Sequence, residues 1–188
     1  MKKINLKPGT MLGPLPVCLV SLGTFDKPNI ITVAWTGIIN SKPPMTYISV
    51  RPERFSHGIL EERGEFVINM PDTSLARRVD LCGMRSGSKG DKFKICGFEK
   101  LRAEALEDCP VIGDCPVNLE CRVKDVLRLG SHDMYLAEIV NVSVNESLAD
   151  DKGAVNFKKA DLLAYLHAEY AGLGKGLGRF GFSVKKTK

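Results

Sequence analysis

The sequence predicts a mainly β fold, a small antiparallel β-barrel with a few short helices at its periphery. The main observation is a long alternation of apolar and polar residues on both sides of a turn at 129–133, as expected of an antiparallel hairpin. In addition, the helical segments are few and short, and no strand–helix–strand repeat is visible. Residues 1–188 fit a single domain, with a core large enough to fold without disulfides or metals.

The first 50 residues predict strands joined by turns, with the first turn at Phe25–Asn29. The second strand, Asn29–Thr36, is rich in β-branched residues. Lys42-Pro43-Pro44 predicts a stiff connection to a third strand, Met45–Arg51. Pro52 ends that strand because proline cannot donate a ladder hydrogen bond.

Two short helices are expected next. Ser56 precedes the helical segment His57–Arg63, and we expect its hydroxyl to cap a helix whose free backbone N–H groups face a ligand. A second helix, Leu75–Leu81, is expected to begin after a capping Asp72 or Thr73.

The remaining elements are mostly strands. Glu65–Met70 predicts a strand, and the glycine- and serine-rich loop 83–91 is expected to be flexible and to carry ligand contacts. Asp161–Leu166 is expected to form a C-terminal helix, and the tail 183–188 to be flexible. In the long hairpin, one apolar side is expected to hold Val117, Leu119, Cys121, Val123, Met134, Leu136, Val140, Val142 and Val144.

Composition narrows the class of partner. The net charge of +5 comes from 27 basic and 22 acidic residues that are interspersed, and the dense basic run is confined to the tail 185–188. We therefore expect no nucleic-acid partner, whereas the modest basic excess suits a small ligand that carries phosphate. No apolar run has the length of a signal peptide or a membrane-spanning helix, so we expect a cytoplasmic protein without a membrane partner.

The six cysteines show no CxxC pair, so the short-spaced zinc template is absent and no metal site is predicted. Cys121 alternates with apolar neighbours on a predicted strand, which favours buried, reduced thiols. A metal or redox role is the alternative. The cysteines are Cys18, Cys82, Cys96, Cys109, Cys115 and Cys121.

A candidate anion site follows the third strand. Ser49, Arg51 and Ser56 place a guanidinium, two hydroxyls and a helix start within a few residues. Such groups suit a phosphate, because arginine forms charge-assisted bonds and a helix start favours negative charge. The alternative is that Arg51 pairs with Glu53 or Glu61 at the surface and that the serine merely caps the helix.

Several motifs, taken in order, resemble the flavin reductase-like, FMN-binding split-barrel family, and in particular its flavoredoxin-type branch. The resemblance runs from Pro14 to about Phe182 and depends on the joint order of the motifs. They are VAWTG at 33–37, PP at 43–44, a strand ending in SVR at 49–51, EFVINMP at 65–71, KGDKF at 89–93 with GF at 97–98, NLECRV at 118–123, and the hairpin 129–140 with its Gly-Ser-His turn.

The resemblance implies an FMN-binding split β-barrel, antiparallel and Greek-key-like, with one noncovalent FMN per chain near the interface of a homodimer. Trp35 and Thr36 would lie along the isoalloxazine ring. The ribityl chain or phosphate would be held by Ser49, Arg51 and Ser56, with help from His57. The second loop would bring Lys92 and Phe93 to the flavin, and the hairpin would bring His132 to the flavin or nicotinamide.

Each of these assignments has an ordinary structural alternative. Trp35 could be a core residue, and Lys92, which we expect at the pyrimidine side of the flavin, could be solvated. His132 could simply pair with Asp133. His167 is taken as a structural residue of the C-terminal helix.

The segment 176–181 spells GxGxxG but follows a predicted helix instead of a strand, so it cannot form a dinucleotide-binding unit. The implied activity is instead that of an NAD(P)H-dependent flavin oxidoreductase. A close variant takes electrons from a small redox protein, and flavin, ferric iron or a protein could accept them. No acid–base pair is needed, because the flavin carries the chemistry. A non-enzymatic flavin-binding module for sensing or storage is the alternative.

Overall fold

The structure is a computed structural model that describes residues 1–184. Of the tail predicted to be flexible, residues 183–184 belong to a 3-10 turn and residues 185–188 lie outside the described part of the chain. The strands are β1 Leu15–Pro16, β2 Cys18–Gly23, β3 Pro28–Val33, β4 Thr36–Ser41, β5 Pro44–Val50, β6 Glu65–Met70, β7 Lys100–Arg102, β8 Pro110–Ile112, β9 Val117–Arg128, β10 Asp133–Val144, β11 Leu163–Leu166 and β12 Glu169–Gly172. The α-helices are α1 Phe55–Arg63, α2 Ala76–Met84 and α3 Lys92–Cys96, and the 3-10 turns are Thr73–Leu75, Gly87–Lys89, Glu146–Leu148 and Phe182–Val184.

Seven strands form the main sheet in the order β3-β2-β6-β9-β10-β5-β4, and every neighbouring pair is antiparallel. The chain leaves β5 near one edge, forms α1, and returns as β6 in the middle of the sheet. The short strands β1, β11 and β12 form a separate sheet. The predicted class, a mainly β antiparallel barrel with short peripheral helices, is confirmed.

The long hairpin is confirmed, but the predicted apolar side of its second strand is wrong. Tyr135 and Ala137 are the fully buried apolar residues of β10, whereas Met134 and Leu136 are only partly buried. Two register shifts interrupt the pairing of β9 with β10, after Leu136 and after Ile139, so no single face persists along the strand. Apolar spacing alone does not reveal such irregularities.

The predicted strand Asn29–Thr36 is divided in the structure. β3 ends at Val33 and β4 begins at Thr36, with Ala34 and Trp35 between them. The backbone N–H of Ser49 donates to the carbonyl of Trp35 at 2.9 Å, which holds the break beside the end of β5. β-propensity did not reveal this break, because it is set by a change of pairing partner, from β2 to β5.

The C-terminal helix predicted at Asp161–Leu166 is wrong, because this segment contributes the strand β11. β11 pairs with β1 on one side and with β12 on the other. His167 and Ala168 form the turn between β11 and β12, with φ values of 33° and 75°. The apolar run of five residues within this segment is too short for its periodicity to separate helix from strand, and the strand pairing decides the structure.

The predicted second helix is present, but it begins and ends later than expected. Asp72 accepts the N–H of Ser74 at 3.0 Å and opens the 3-10 turn that precedes α2, as the capping prediction required. α2 continues to Met84, and another 3-10 turn occupies Gly87–Lys89, so little of the loop 83–91 is irregular.

Two of the four apolar clusters in residues 1–184 hold the barrel and its helices together. The first fills the barrel and includes Ile48, Phe66 and Tyr135. The second joins the barrel to α2 and α3 through Ile30 and Val79. This second cluster fixes the helices against the face of β3, which builds one side of the site described below.

The cysteines are free thiols, as predicted. Five are buried and Cys96 is partly buried. Burial raises the pKa of Cys18 to about 12, which makes it a poor nucleophile. Within residues 1–184 no group of three or more potential ligand residues could hold a metal ion. None of the helices described there is long and apolar enough to cross a membrane.

Candidate functional site

A groove of about 330 Å³ lies where β3 and β5 end and α2 passes over them. Of the residues predicted from sequence, Trp35, Ser49, Arg51 and His132 line it. The division between β3 and β4 positions Trp35 here, and the turn between β9 and β10 brings His132 to it. We refer to this cavity as the groove.

An aromatic wall forms one side of the groove. The rings of Trp35 and His132 are parallel within 4°, with centroids 6.2 Å apart, and Tyr165 lies 6.5 Å from the indole. Trp35 is 40% exposed, so the alternative that it is a core residue is wrong. A flat, half-exposed wall of this kind suits a planar ligand.

His132 is not engaged with its neighbour Asp133, contrary to the alternative raised from sequence. Its Nδ1 lies 3.0 Å from the hydroxyl of Ser131. The carboxylate of Asp133 instead contacts His57 and Arg128. His132 is therefore free to face the groove.

A second cavity of about 330 Å³ adjoins the groove and shares Ile31, Arg54 and Gly83 with it. Its cationic side chains are Arg54, Arg85 and Lys92. We refer to it as the basic pocket. The ion pairs found in residues 1–184 include none of these three cations.

Lys92 is the most unusual of these cations, because its side chain is buried, with 2% of the residue exposed. The ammonium donates to the carbonyls of Ile30 at 2.6 Å and Cys82 at 2.7 Å. An ammonium has three N–H donors, so one remains. Burial lowers the pKa of Lys92, as expected for a charge out of water with no carboxylate beside it. The alternative that Lys92 is solvated is wrong.

Ser56 also lines the basic pocket, but it is not a helix cap. α1 begins at Phe55, one residue before it, and the cap position is held by Arg54 without a side-chain hydrogen bond. The buried hydroxyl of Ser56 accepts from the amide of Asn29 at 2.8 Å, which leaves its own hydrogen free to donate. The structure thus brings Ser56 together with Lys92 and separates it from Ser49 and Arg51.

The loop after α2 closes the basic pocket with Gly87. A Cβ atom at this position would lie 2.2 Å from Oδ1 of Asn29 and 2.6 Å from Cδ1 of Phe55, so only glycine fits without a shift. The same Oδ1 is buried and has no hydrogen-bond partner within the described residues. An unpaired buried acceptor is costly, and this one belongs to the amide that donates to Ser56 of the basic pocket.

Three residues predicted for the site do not contribute their side chains to either cavity. Thr36 is buried and donates to the carbonyl of Tyr47 at 2.5 Å. Phe93 packs in the core against Phe98, with ring centroids 6.5 Å apart. His57 contacts Asp133, its Nε2 lying 2.7 Å from the carboxylate.

Arg51 agrees in part with each of its two interpretations, as a ligand contact and as a member of a surface ion pair. It lines the groove, yet it also pairs with Glu53 at 3.3 Å, and its side chain is 52% exposed. Glu61, the other acidic partner considered, pairs with Arg128 instead. Arg51 is therefore a groove residue near the aromatic wall, not a member of the basic pocket.

Sequence reasoning missed Arg54, Arg85 and Tyr165. Arg85 opens the glycine- and serine-rich loop that was expected to carry contacts, so a signal for it existed. Tyr165 was obscured by the incorrect helix, since only the strand pairing of β11 brings it to the groove. His167 lies on the turn beyond β11.

Comparison with known proteins agrees with the motifs. Residues 11–174 match the family described as flavin reductase like domain. The chain belongs to the flavin reductase-like family. The resemblance inferred from sequence is thereby confirmed.

Solved structures of the flavin reductase-like family include near neighbours of this chain. The flavoredoxin of Desulfovibrio vulgaris (Miyazaki F) is 31% identical, with a TM-score of 0.90, and the match covers 98% of this chain and 100% of that one. The flavoredoxin from Methanosarcina acetivorans is 28% identical, with a TM-score of 0.89 and coverage of 98% and 100%. An FMN-binding protein from Thermus thermophilus, 21% identical with a TM-score of 0.80 and coverage of 95% and 98%, shares the fold.

Proposed function

We propose that this chain is a cytoplasmic FMN-binding oxidoreductase of the flavoredoxin type, with the FMN phosphate in the basic pocket and the isoalloxazine ring along the aromatic wall. The observation that carries the proposal is the buried ammonium of Lys92, which has a free donor and no carboxylate partner. A buried cation of this kind is stabilised by an anionic ligand. Buried, reduced thiols agree with a reducing compartment.

The shape of the site supports one ligand that spans both cavities. The groove and the basic pocket share three residues, and each cavity alone has the volume of a small-molecule site. A ligand with a planar ring at one end and a phosphate at the other matches the aromatic wall and the cations. FMN has this form, and the flavin reductase-like family supports it.

The residues of the basic pocket would bind the phosphate. Lys92 and Ser56 would donate from buried positions, while Arg54 and Arg85 would add charge. Each charge-assisted hydrogen bond contributes about 1.5 to 3 kcal/mol to such a contact. This arrangement replaces the pyrimidine-side role expected for Lys92 from sequence with a role at the phosphate.

The residues of the groove would orient the ring and limit its access to water. Trp35 and His132 offer parallel rings, and Tyr165 closes the side next to β11. Ser49 and Arg51 lie at the same groove, where they would contact the polar parts of the ligand. Bound FMN would supply the hydride and electron chemistry, so the chain itself needs no acid–base pair.

The electron donor is proposed to be NAD(P)H, with a small redox protein as the variant. The half-exposed aromatic wall supports this, because a second planar ring or a protein surface can approach it. The acceptor would be flavin, ferric iron or a protein.

The test is the visible spectrum of the purified protein reconstituted with FMN, recorded before and after anaerobic addition of NADH, NADPH or a reduced ferredoxin. We expect FMN to remain bound after gel filtration and to be bleached by a nicotinamide. Bleaching by the ferredoxin alone would select the carrier variant. Bound colour without bleaching by any donor would leave the non-enzymatic flavin-binding module, and failure to retain FMN would overturn the proposal.

We further propose that the chain forms a homodimer through β4 and the exposed side of the β9–β10 hairpin. β4 is an edge strand whose Ile38 and Ile39 are 69% and 43% exposed, and Leu127 and Val142 of the hairpin are also exposed. Exposed apolar side chains on a sheet favour association. Sedimentation velocity at micromolar concentration should give a dimer, and Ile38→Lys should shift it toward a monomer. A monomeric wild-type chain would contradict this proposal.

A further inference from the structure

A network of charged side chains surrounds the turn between β9 and β10. Arg128 is the last residue of β9 and Asp133 the first of β10, and the two are paired across the hairpin. The guanidinium of Arg128 donates to the carboxylate of Asp133. The residues that this pair encloses, 129–132, include His132 of the aromatic wall.

Helix α1 contacts both sides of the same turn. Glu61 accepts from Arg128 through both carboxylate oxygens, at 2.6 and 3.2 Å, and also from the hydroxyl of Tyr135 at 2.6 Å. One turn earlier on the same helix face, His57 contacts Asp133 at 2.7 Å. Two residues of α1 thus bind Arg128 of β9 and both Asp133 and Tyr135 of β10.

These contacts join the two ends of the site. α1 carries Ser56 at the basic pocket, and the hairpin turn carries His132 at the aromatic wall. None of His57, Glu61, Arg128 and Asp133 is among the residues that line either cavity. Their contacts therefore act on the site through the segments that they hold in place.

We propose that Glu61 and Asp133 are positioning residues that fix the His132–Trp35 stack relative to the phosphate end of the cavity. The carboxylates hold the turn through Arg128 and His57 and so set the direction from which the imidazole meets the indole. This inference deepens the proposed function and rests on it for the identity of the ligand. The geometry of the stack itself can be tested without any ligand.

Three observations support a role beyond ordinary surface pairing. The side chain of Asp133 is 8% exposed and that of His57 is 15% exposed, so their contact is shielded from water and salt. The pKa of Asp133 is lowered by the hydrogen bond from His57 and then by Arg128, which keeps the carboxylate charged. The bidentate contact of Arg128 with Glu61 adds direction as well as charge.

The test uses the fluorescence of the apoprotein, because Trp35 is the only tryptophan. The change in its emission maximum and intensity that His132→Ala causes defines the signature of the stack, since the imidazole ring lies parallel to the indole. We expect Asp133→Asn and Glu61→Gln to remove most of this signature. We also expect them to raise the FMN dissociation constant about tenfold.

Glu138→Gln is the matched control. Glu138 pairs with Lys124 at 2.8 Å across the same two strands but away from the turn, so its loss should leave the signature and FMN affinity unchanged. Arg128→Lys provides a second variant, because the side chain is 53% exposed and its replacement spares the core. Lysine keeps the charge but lacks the planar fork that holds Glu61 and Asp133 in this geometry, so the signature should again fall.

The inference is overturned if folded Asp133→Asn and Arg128→Lys both keep the signature and the FMN affinity of the wild type. If Asp133→Asn does not fold, Arg128→Lys decides by the same measurements. A wild-type protein that shows the signature but binds no FMN would contradict the proposed function and leave the positioning role intact. Normal FMN binding together with unaffected variants would sink only the positioning role.

Discussion

The two ends of the cavity are built differently. In the basic pocket the side chains of Lys92 and Ser56 are buried, Lys92 donating to two backbone carbonyls and Ser56 accepting from the amide of Asn29. The groove presents the half-exposed rings of Trp35 and His132, joined by stacking. Affinity for a ligand should therefore depend mainly on the buried charge, whereas access and orientation should depend on the aromatic wall.

The largest effect is expected from Lys92→Met, which keeps the length of the side chain and removes its charge. We expect the FMN dissociation constant to rise about tenfold to hundredfold, from the loss of one charge-assisted hydrogen bond. Fluorescence titration with FMN measures it. Lys94→Met is the control, because Lys94 lies on the same helix but is exposed. Equal affinity in both variants would remove Lys92 from the phosphate site.

The second prediction concerns pH and the same ammonium. Burial holds the pKa of Lys92 below its ordinary value of 10.5, and an adjacent phosphate would favour the charged form. FMN affinity should therefore be highest at pH values below the pKa that Lys92 has in the FMN-free protein. Above that pKa the affinity should fall by up to about tenfold per pH unit. Lys92→Met should lose this part of the pH dependence. If both proteins follow one curve, the ammonium does not take part.

Gly87→Ala tests the close approach at the mouth of the basic pocket. The added Cβ would meet the side chains of Asn29 and Phe55, so we expect about 1 to 3 kcal/mol of destabilisation and roughly tenfold weaker FMN binding. Urea unfolding and FMN titration measure the two effects. Gly58→Ala is the control, because nothing lies within 4 Å of a Cβ there, and alanine should stabilise α1 by about 0.5 to 1 kcal/mol. A neutral Gly87→Ala would mean that the loop shifts freely.

A smaller effect is expected at the wall. Trp35→Leu removes a stacking contribution of about 0.5 to 1.5 kcal/mol, so the FMN dissociation constant should rise about twofold to tenfold. Stability should change little, since the side chain is 40% exposed. Anaerobic reduction rates should also change, because the wall orients the ring. A larger loss of affinity than in Lys92→Met would mean that the aromatic wall contributes more to FMN affinity than the buried charge.

The smallest effect on affinity is expected from Arg51→Gln. Its guanidinium is half-exposed and already paired with Glu53, so we expect a change of about twofold in FMN binding at moderate salt. The same titration at low and high salt measures it. A loss as large as that of Lys92→Met would restore the phosphate role first expected for Arg51 from sequence.

Much of the fold followed from local patterns. The hairpin of β9 and β10, the strand Glu65–Met70 and the turn before β3 all matched alternation and turn chemistry. The incorrect helix at Asp161–Leu166 arose where the apolar run was short and one of its two strand partners, β1, lay far away in the chain. Local propensity acts over a few residues, so it fails where pairing between distant segments decides.

The sequence by itself determined the family, the antiparallel β content, and several of the residues that meet at the site, including Trp35, Ser56, Lys92 and His132. Only the tertiary structure decided which of them meet. In the structure Lys92 lies with Ser56 in the basic pocket and not at the aromatic wall. His132 stacks on Trp35, and Phe93 is buried in the core. The physical reason is that motifs specify residue types and spacing, whereas packing of α3 on β3 and the pairing of distant strands set the directions in which side chains point.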